Sequence, residues 1–82
     1  MKMIMPNIVE ARALDDRHIY LKYEDGKIKV YDMKPLIDNN NFYAKLKDRN
    51  YFNQVKPCSD TIEWPNGEDV CPENLYYDSK DI

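Results

Sequence analysis

The chain has 82 residues, 43% apolar and 33% charged, with a net charge of −3, which predicts one soluble domain, 1–82, with a small core and a modest stability margin. That apolar and aromatic content excludes a disordered chain. No apolar run reaches the length of a membrane span, and Lys2 is followed only by Met3-Ile4-Met5 before Pro6, too short for a secretory core, so a cytoplasmic protein without a membrane partner is expected.

Residues 1–6 read as a loose leader, with Pro6 delaying the first strand. Asn7 to Leu14 alternates Ile8, Glu10 and Arg12 against Val9, Ala11 and Ala13, a strand with one apolar face. Asp15-Asp16-Arg17 is a turn. His18 to Tyr23 is a second strand, with Ile19, Leu21 and Tyr23 on one side and His18, Tyr20 and Lys22 on the other. Glu24-Asp25-Gly26-Lys27 is the clearest hairpin signal, an Asp-Gly pair between alternating runs. Ile28 to Asp32 returns, with Ile28 and Val30 on one face. These three strands predict an antiparallel meander.

Lys34-Pro35-Leu36-Ile37 reads as one helical turn or an extended link, and Asp38 to Asn41 as a polar loop. Phe42 and Leu46, with Tyr43 or Ala44, suggest a short amphipathic helix. Asp48 is a candidate N-cap for a second helix, Arg49 to Gln54, burying Tyr51 and Phe52. Val55 to Cys58 reads as a fourth strand, and Ser59-Asp60 turns it into Thr61–Trp64.

The most informative stretch is Thr61 to Tyr76. Ile62 and Trp64 alternate with Thr61 and Glu63. Pro65 presets a turn, and Asn66-Gly67 tolerate positive φ. Pro72 suits the first helical position, where its missing N–H removes nothing. Glu73 complements the helix dipole, and Leu75 and Tyr76 supply the apolar face. Residues 78–82 are expected to fray. The whole predicts an α+β fold, with a mainly antiparallel sheet built from the meander and the C-terminal strands and with short helices on one face.

Few residues suggest chemistry. His18 near Asp15, Asp16 or Glu10 has no nucleophile in a recognisable setting, so a surface histidine is expected. Two cysteines, Cys58 and Cys71, and one histidine supply neither a disulfide framework nor a Cys/His zinc tetrad. Two glycines in the chain leave no phosphate-cradling loop. Glu68, Asp69 and Glu73 match no calcium loop. No catalytic residue, metal or cofactor is therefore expected. Residues 1–57 carry eleven Lys/Arg and eight Asp/Glu, whereas 58–82 carry one Lys and seven Asp/Glu. The overall acidity argues against a dedicated nucleic-acid binder.

The pattern resembles the small bacterial family known as domain of unknown function 2442. The resemblance rests on Val9-Glu10-Ala11, Glu24-Asp25-Gly26, Val30-Tyr31-Asp32, Tyr51-Phe52 and Ile62-Glu63-Trp64-Pro65-Asn66-Gly67, followed by Asp69, Pro72, Leu75 and Tyr76. It spans about Pro6 to Tyr77. It implies a compact α+β domain with no established activity and no catalytic residues to carry over. Some similar proteins continue into a helix-turn-helix domain, and some are suspected members of toxin–antitoxin modules. With this sequence ending at Ile82, no such DNA-binding extension is expected.

The reading that follows is a non-enzymatic binding or regulatory module, acting through a protein partner and possessing a homodimer contact at a sheet edge or a Tyr-bearing face. Tyr20, Tyr31 and Tyr77 are the candidates for that face, since a tyrosine buries ring area while its hydroxyl stays wet. The alternative is a small enzyme or ligand-binding domain with a site near Trp64, Asp69 and Tyr76. The candidate functional surface comprises Trp64, Asn66, Asp69 and Tyr76.

Overall fold

The structure, a computed structural model, describes residues 5–82. Three strands, β1 (Ile8–Ala13), β2 (His18–Tyr23) and β3 (Ile28–Asp32), form the expected meander. After β3 come α1 (Lys34–Asn39), a 3-10 helix (Asn41–Lys47) and α2 (Arg49–Phe52). A ribbon of β4 (Lys56–Cys58) and β5 (Thr61–Glu63) follows, then α3 (Pro72–Asp78) and β6 (Lys80–Asp81). The main sheet has the order β1-β2-β3-β6, and β4-β5 is a separate antiparallel pair. The fold is α+β with a mainly antiparallel sheet.

Hairpin length decides which way β3 faces. Gly26 N–H donates to Tyr23 O at 3.0 Å and Tyr23 N–H to Lys27 O at 2.9 Å, so three residues make the loop and Gly26, at φ 92, takes its left-handed position. Leu21 then pairs with Lys29, and Ile19 with Tyr31. Directly opposed residues share a face, and Ile19 and Leu21 are fully buried. Lys29 and Tyr31 are therefore the inward residues, each 6% exposed, while Ile28 and Val30 lie half-buried on the outer face. This corrects the expectation that Tyr31 offers its ring to a partner.

In β1 the register shifts between Ile8 and Glu10. The bulge turns Ile8 into the core alongside Ala11 and Ala13 and leaves Val9 56% exposed. An unbroken alternation cannot foresee that switch of faces.

Four further expectations are corrected. Met5, within the supposed leader, is buried, and residues 1–4 lie outside the described residues. The supposed loop at 38–41 is largely helix, with α1 running to Asn39 and the 3-10 helix starting at Asn41. In that helix Tyr43 and Leu46 are the buried pair and Phe42 is 54% exposed, because residues three apart align in a 3-10 helix. The supposedly frayed end instead pairs with β3 through Lys29↔Asp81 and Val30↔Lys80; that strand satisfies part of the β3 edge.

The caps follow the residue chemistry. Asp48 accepts the N–H of Asn50 at 3.0 Å at the start of α2. Pro72 opens α3 after Cys71, whose side chain makes no cap bond. Ser59 turns β4 into β5 with φ 54, a conformation that few side chains adopt. Its carbonyl accepts the N–H of Ile8 at 2.8 Å, which ties the ribbon to the free side of β1. The core runs from Ile8, Ile19, Leu21 and Tyr23 of the sheet to Phe52, Trp64 and Leu75.

Candidate functional site

The Trp64–Glu68 turn repeats the construction of the first hairpin. Gly67 N–H donates to Trp64 O at 2.9 Å and Trp64 N–H to Glu68 O at 3.0 Å. Gly67 has φ 96, and beyond the turn Glu63 bridges to Asp69.

The Trp64, Tyr51, Glu68, Tyr43 and Thr61 side chains around this turn all have partners within the chain. Trp64 is 1% exposed, and its indole N–H donates to Phe52 O at 2.9 Å. The ring stacks on Phe52 with centroids 5.8 Å apart. Tyr51 Oη donates to Glu68 Oε1 at 2.6 Å and accepts the N–H of Asn66 at 2.7 Å. Glu68 is 6% exposed, so this bond satisfies a buried carboxylate. Burial, with the Glu68 carboxylate beside it, pushes the Tyr51 phenol up. Tyr43 Oη donates to Asp69 O at 2.7 Å, and Thr61 Oγ1 to Val70 O at 2.5 Å. The 3-10 helix, α2 and the ribbon thus clamp the turn from three sides.

The four candidate residues divide into two places. Trp64, Asn66 and Asp69 belong to the clamped turn, where the Asn66 and Asp69 side chains reach solvent. Tyr76 sits on α3 against the sheet. Its ring meets Tyr23 edge-on at 5.1 Å, and Lys29 Nζ lies 4.6 Å from its centroid. The three described clefts are lined by other residues.

Two of the seven tyrosines, Tyr43 and Tyr51, bond backbone groups through their hydroxyls. The Tyr23 Oη is buried without a hydrogen-bond partner among the described residues, and burial raises its pKa. Tyr20 alone of the sheet tyrosines faces outward, with the Arg12 guanidinium 4.3 Å over its ring.

His18 and Cys58 each have a carboxylate beside them. Asp15 Oδ1 accepts the N–H groups of Arg17 and His18 at 2.8 and 2.7 Å, and His18 Nδ1 lies 2.9 Å from Asp15 Oδ2. His18 is thereby a turn partner. The Glu63 carboxylate pushes the Cys58 thiol up, away from thiolate chemistry. Among the described residues no group of three His, Cys, Asp or Glu is placed to hold a metal ion. No helix among them is long and apolar enough to cross a membrane.

No curated protein and no solved structure matches the chain. Its residues 8–81 match the model of a family described as protein of unknown function, DUF2442. The same segments that build the two glycine turns and the clamp lie within that match, and the chain belongs to this family.

Proposed function

We propose that the protein is a non-enzymatic cytoplasmic binding module that self-associates through the outer face of its main sheet. The observation that carries this reading is the placement of Tyr20. By register, Arg12, Tyr20, Val30 and Lys80 form one row across that face, and Glu10, Lys22 and Ile28 another. All are half-buried or exposed, whereas the opposite face is the core. Leu14, 46% exposed, continues the face beyond Arg12.

A second copy suits this surface. Tyr20, Val30 and Ile28 supply apolar area at its centre. Glu10 lies on the same face as Arg12 and Lys22, so a two-fold contact sets opposite charges against each other. The sheet edges are less available, since the ribbon bonds to β1 and β6 to β3. A specific contact of about 1,000 Å² in total takes about 500 Å² from each copy, roughly a tenth of the 5168 Å² surface of one chain. A pairing with an unlike protein, as in a toxin–antitoxin-like module, extends this proposal.

Light scattering over a hundredfold concentration range tests it. The expected mass rises from 9.8 kDa towards twice that value, and Tyr20→Asp holds it at the monomer. A constant monomer mass for the native chain overturns the proposal.

A further inference from the structure

Strand β3 has five residues, Ile28–Asp32, and β6 pairs with only two of them, Lys29 and Val30. Lys29 is the unusual member. The hairpin register sends it inward, and its side chain is 8% exposed. Its ammonium group reaches Asp81 Oδ1 at 2.8 Å and lies over the Tyr76 ring. Asp81 itself is 68% exposed. A buried cation thus takes its counter-charge from a two-residue strand, and removing that carboxylate leaves the charge uncompensated.

Two clefts adjoin β6, one towards each end of β3. One is lined by Gly26, Lys27, Ile28, Asp81 and Ile82. The other is lined by His18, Val30, Asp32, Asp78 and Lys80. With Ile82 N–H donating to Ile28 O at 3.1 Å, the β3 edge is filled from Ile28 to Val30. Its charge is polarised: Lys27 and Lys29 stand at one end, Asp32 and Asp78 at the other. Arg17 pairs with Asp32, which leaves Asp78 as the negative group without an ion-pair partner among the described residues. Lys80-Asp81 matches this polarity, with Lys80 lining the same cleft as Asp32 and Asp78 and the Asp81 carboxylate on Lys29.

We infer that the β3 edge is a strand-addition site, filled in cis by β6, for an extended peptide segment of another protein. That segment runs antiparallel to β3, places a carboxylate opposite Lys29 and carries a cation on the N-terminal side of it. Main-chain hydrogen bonds along β3 supply the affinity, and Lys29 supplies the selectivity, as in other strand-addition sites. The native strand competes for the same edge at the high effective concentration of a tethered segment. Weakening β6 opens the site.

The test is an amide NMR titration of the full chain with a blocked peptide, Arg-Thr-Lys-Asp-Ile, whose register copies Lys80–Ile82 and extends it towards Asp32. Asp81→Asn removes the internal carboxylate while keeping the chain length. The expected result is shift changes at the amides of residues 28–32, with Asp81→Asn binding at least about fivefold tighter than the native chain. A peptide with Asn in place of Asp should bind Asp81→Asn at least about fivefold more weakly. Lys29→Met should bind the two peptides alike. A folded Asp81→Asn chain that shows no shift changes, or equal affinity for both peptides, overturns the inference. If Asp81→Asn is unfolded at the assay temperature, the Asp peptide must raise its Tm and the Asn peptide must not. A Tm unmoved by either peptide also overturns it.

Discussion

Two turns in this chain share one backbone and differ in what surrounds it. Tyr23–Lys27 and Trp64–Glu68 each begin with a buried aromatic residue, close with the same two hydrogen bonds and place a glycine at positive φ. The first is solvent-exposed from Glu24 to Lys27, and its bonds outward are those of Glu24 to the Asn7 backbone at the surface. The second is bonded by side chains to α2 and the 3-10 helix. Turn chemistry therefore sets where the chain reverses, and the neighbours of the turn decide whether it carries stability.

The largest way to break this comparison is Trp64→Ala. It empties a fully buried ring site and takes from the carbonyl of Phe52 the shorter of its two hydrogen bonds, leaving the Val55 N–H at 3.3 Å. A loss of about 3–5 kcal/mol is expected, read from chemical denaturation. An unchanged midpoint would mean that the clamp does not depend on the ring.

A smaller effect separates the shared backbone from its surroundings. A Cβ built at Gly26 or Gly67 meets nothing within 4 Å, so alanine at either position adds only backbone strain. Gly26→Ala and Gly67→Ala should each lose about 1–2 kcal/mol. Nearly equal losses sharpen the comparison. A much larger loss at Gly67 would show that the clamp constrains the turn backbone as well.

The smallest effect concerns the third reversal, between β1 and β2, which has no glycine. Here Asp15 receives two backbone N–H groups in their place. The Arg17 N–H, opposed in part by burial and reinforced by His18, lowers the Asp15 pKa from the usual 3.8 to about 2. A lowered carboxylate pKa adds stability above its unfolded value, and that stability disappears as pH falls through the folded value. The native chain should therefore lose its advantage over Asp15→Asn between about pH 4 and pH 2. Thermal melts at several pH values check it, and a Tm difference independent of pH would contradict it.

The meander, the glycine turns, the Asp48 cap and the Pro72 helix start were legible because each depends on local chemistry. Strand facing was less so. The β1 bulge and the β3 register depend on pairing partners, and they reversed the expected roles of Val9, Ile28 and Tyr31. Ser59 carried no sign of its positive φ, since serine there is supported by the ribbon and its bond to β1. Trp64, Asn66 and Asp69 stood out in sequence as a functional surface because turn, aromatic and acid signals coincide there. The same signals describe a structural clamp, and the partners that make it one, Tyr43, Tyr51 and Phe52, lie 12 to 26 residues away. Lys29 could not be singled out, because nothing in an alternating strand marks a lysine as the inward residue.

The central claim is that the second turn is held by side chains bonded to its interior groups. A double-mutant cycle on Tyr51→Phe and Glu68→Ala tests it most directly, because the Tyr51–Glu68 bond is buried and joins α2 to the turn. The account predicts a coupling of about 1.5–3 kcal/mol, the range for a hydrogen bond to a charged group. A coupling below about 0.5 kcal/mol, the level at which independent sites simply add, would contradict it.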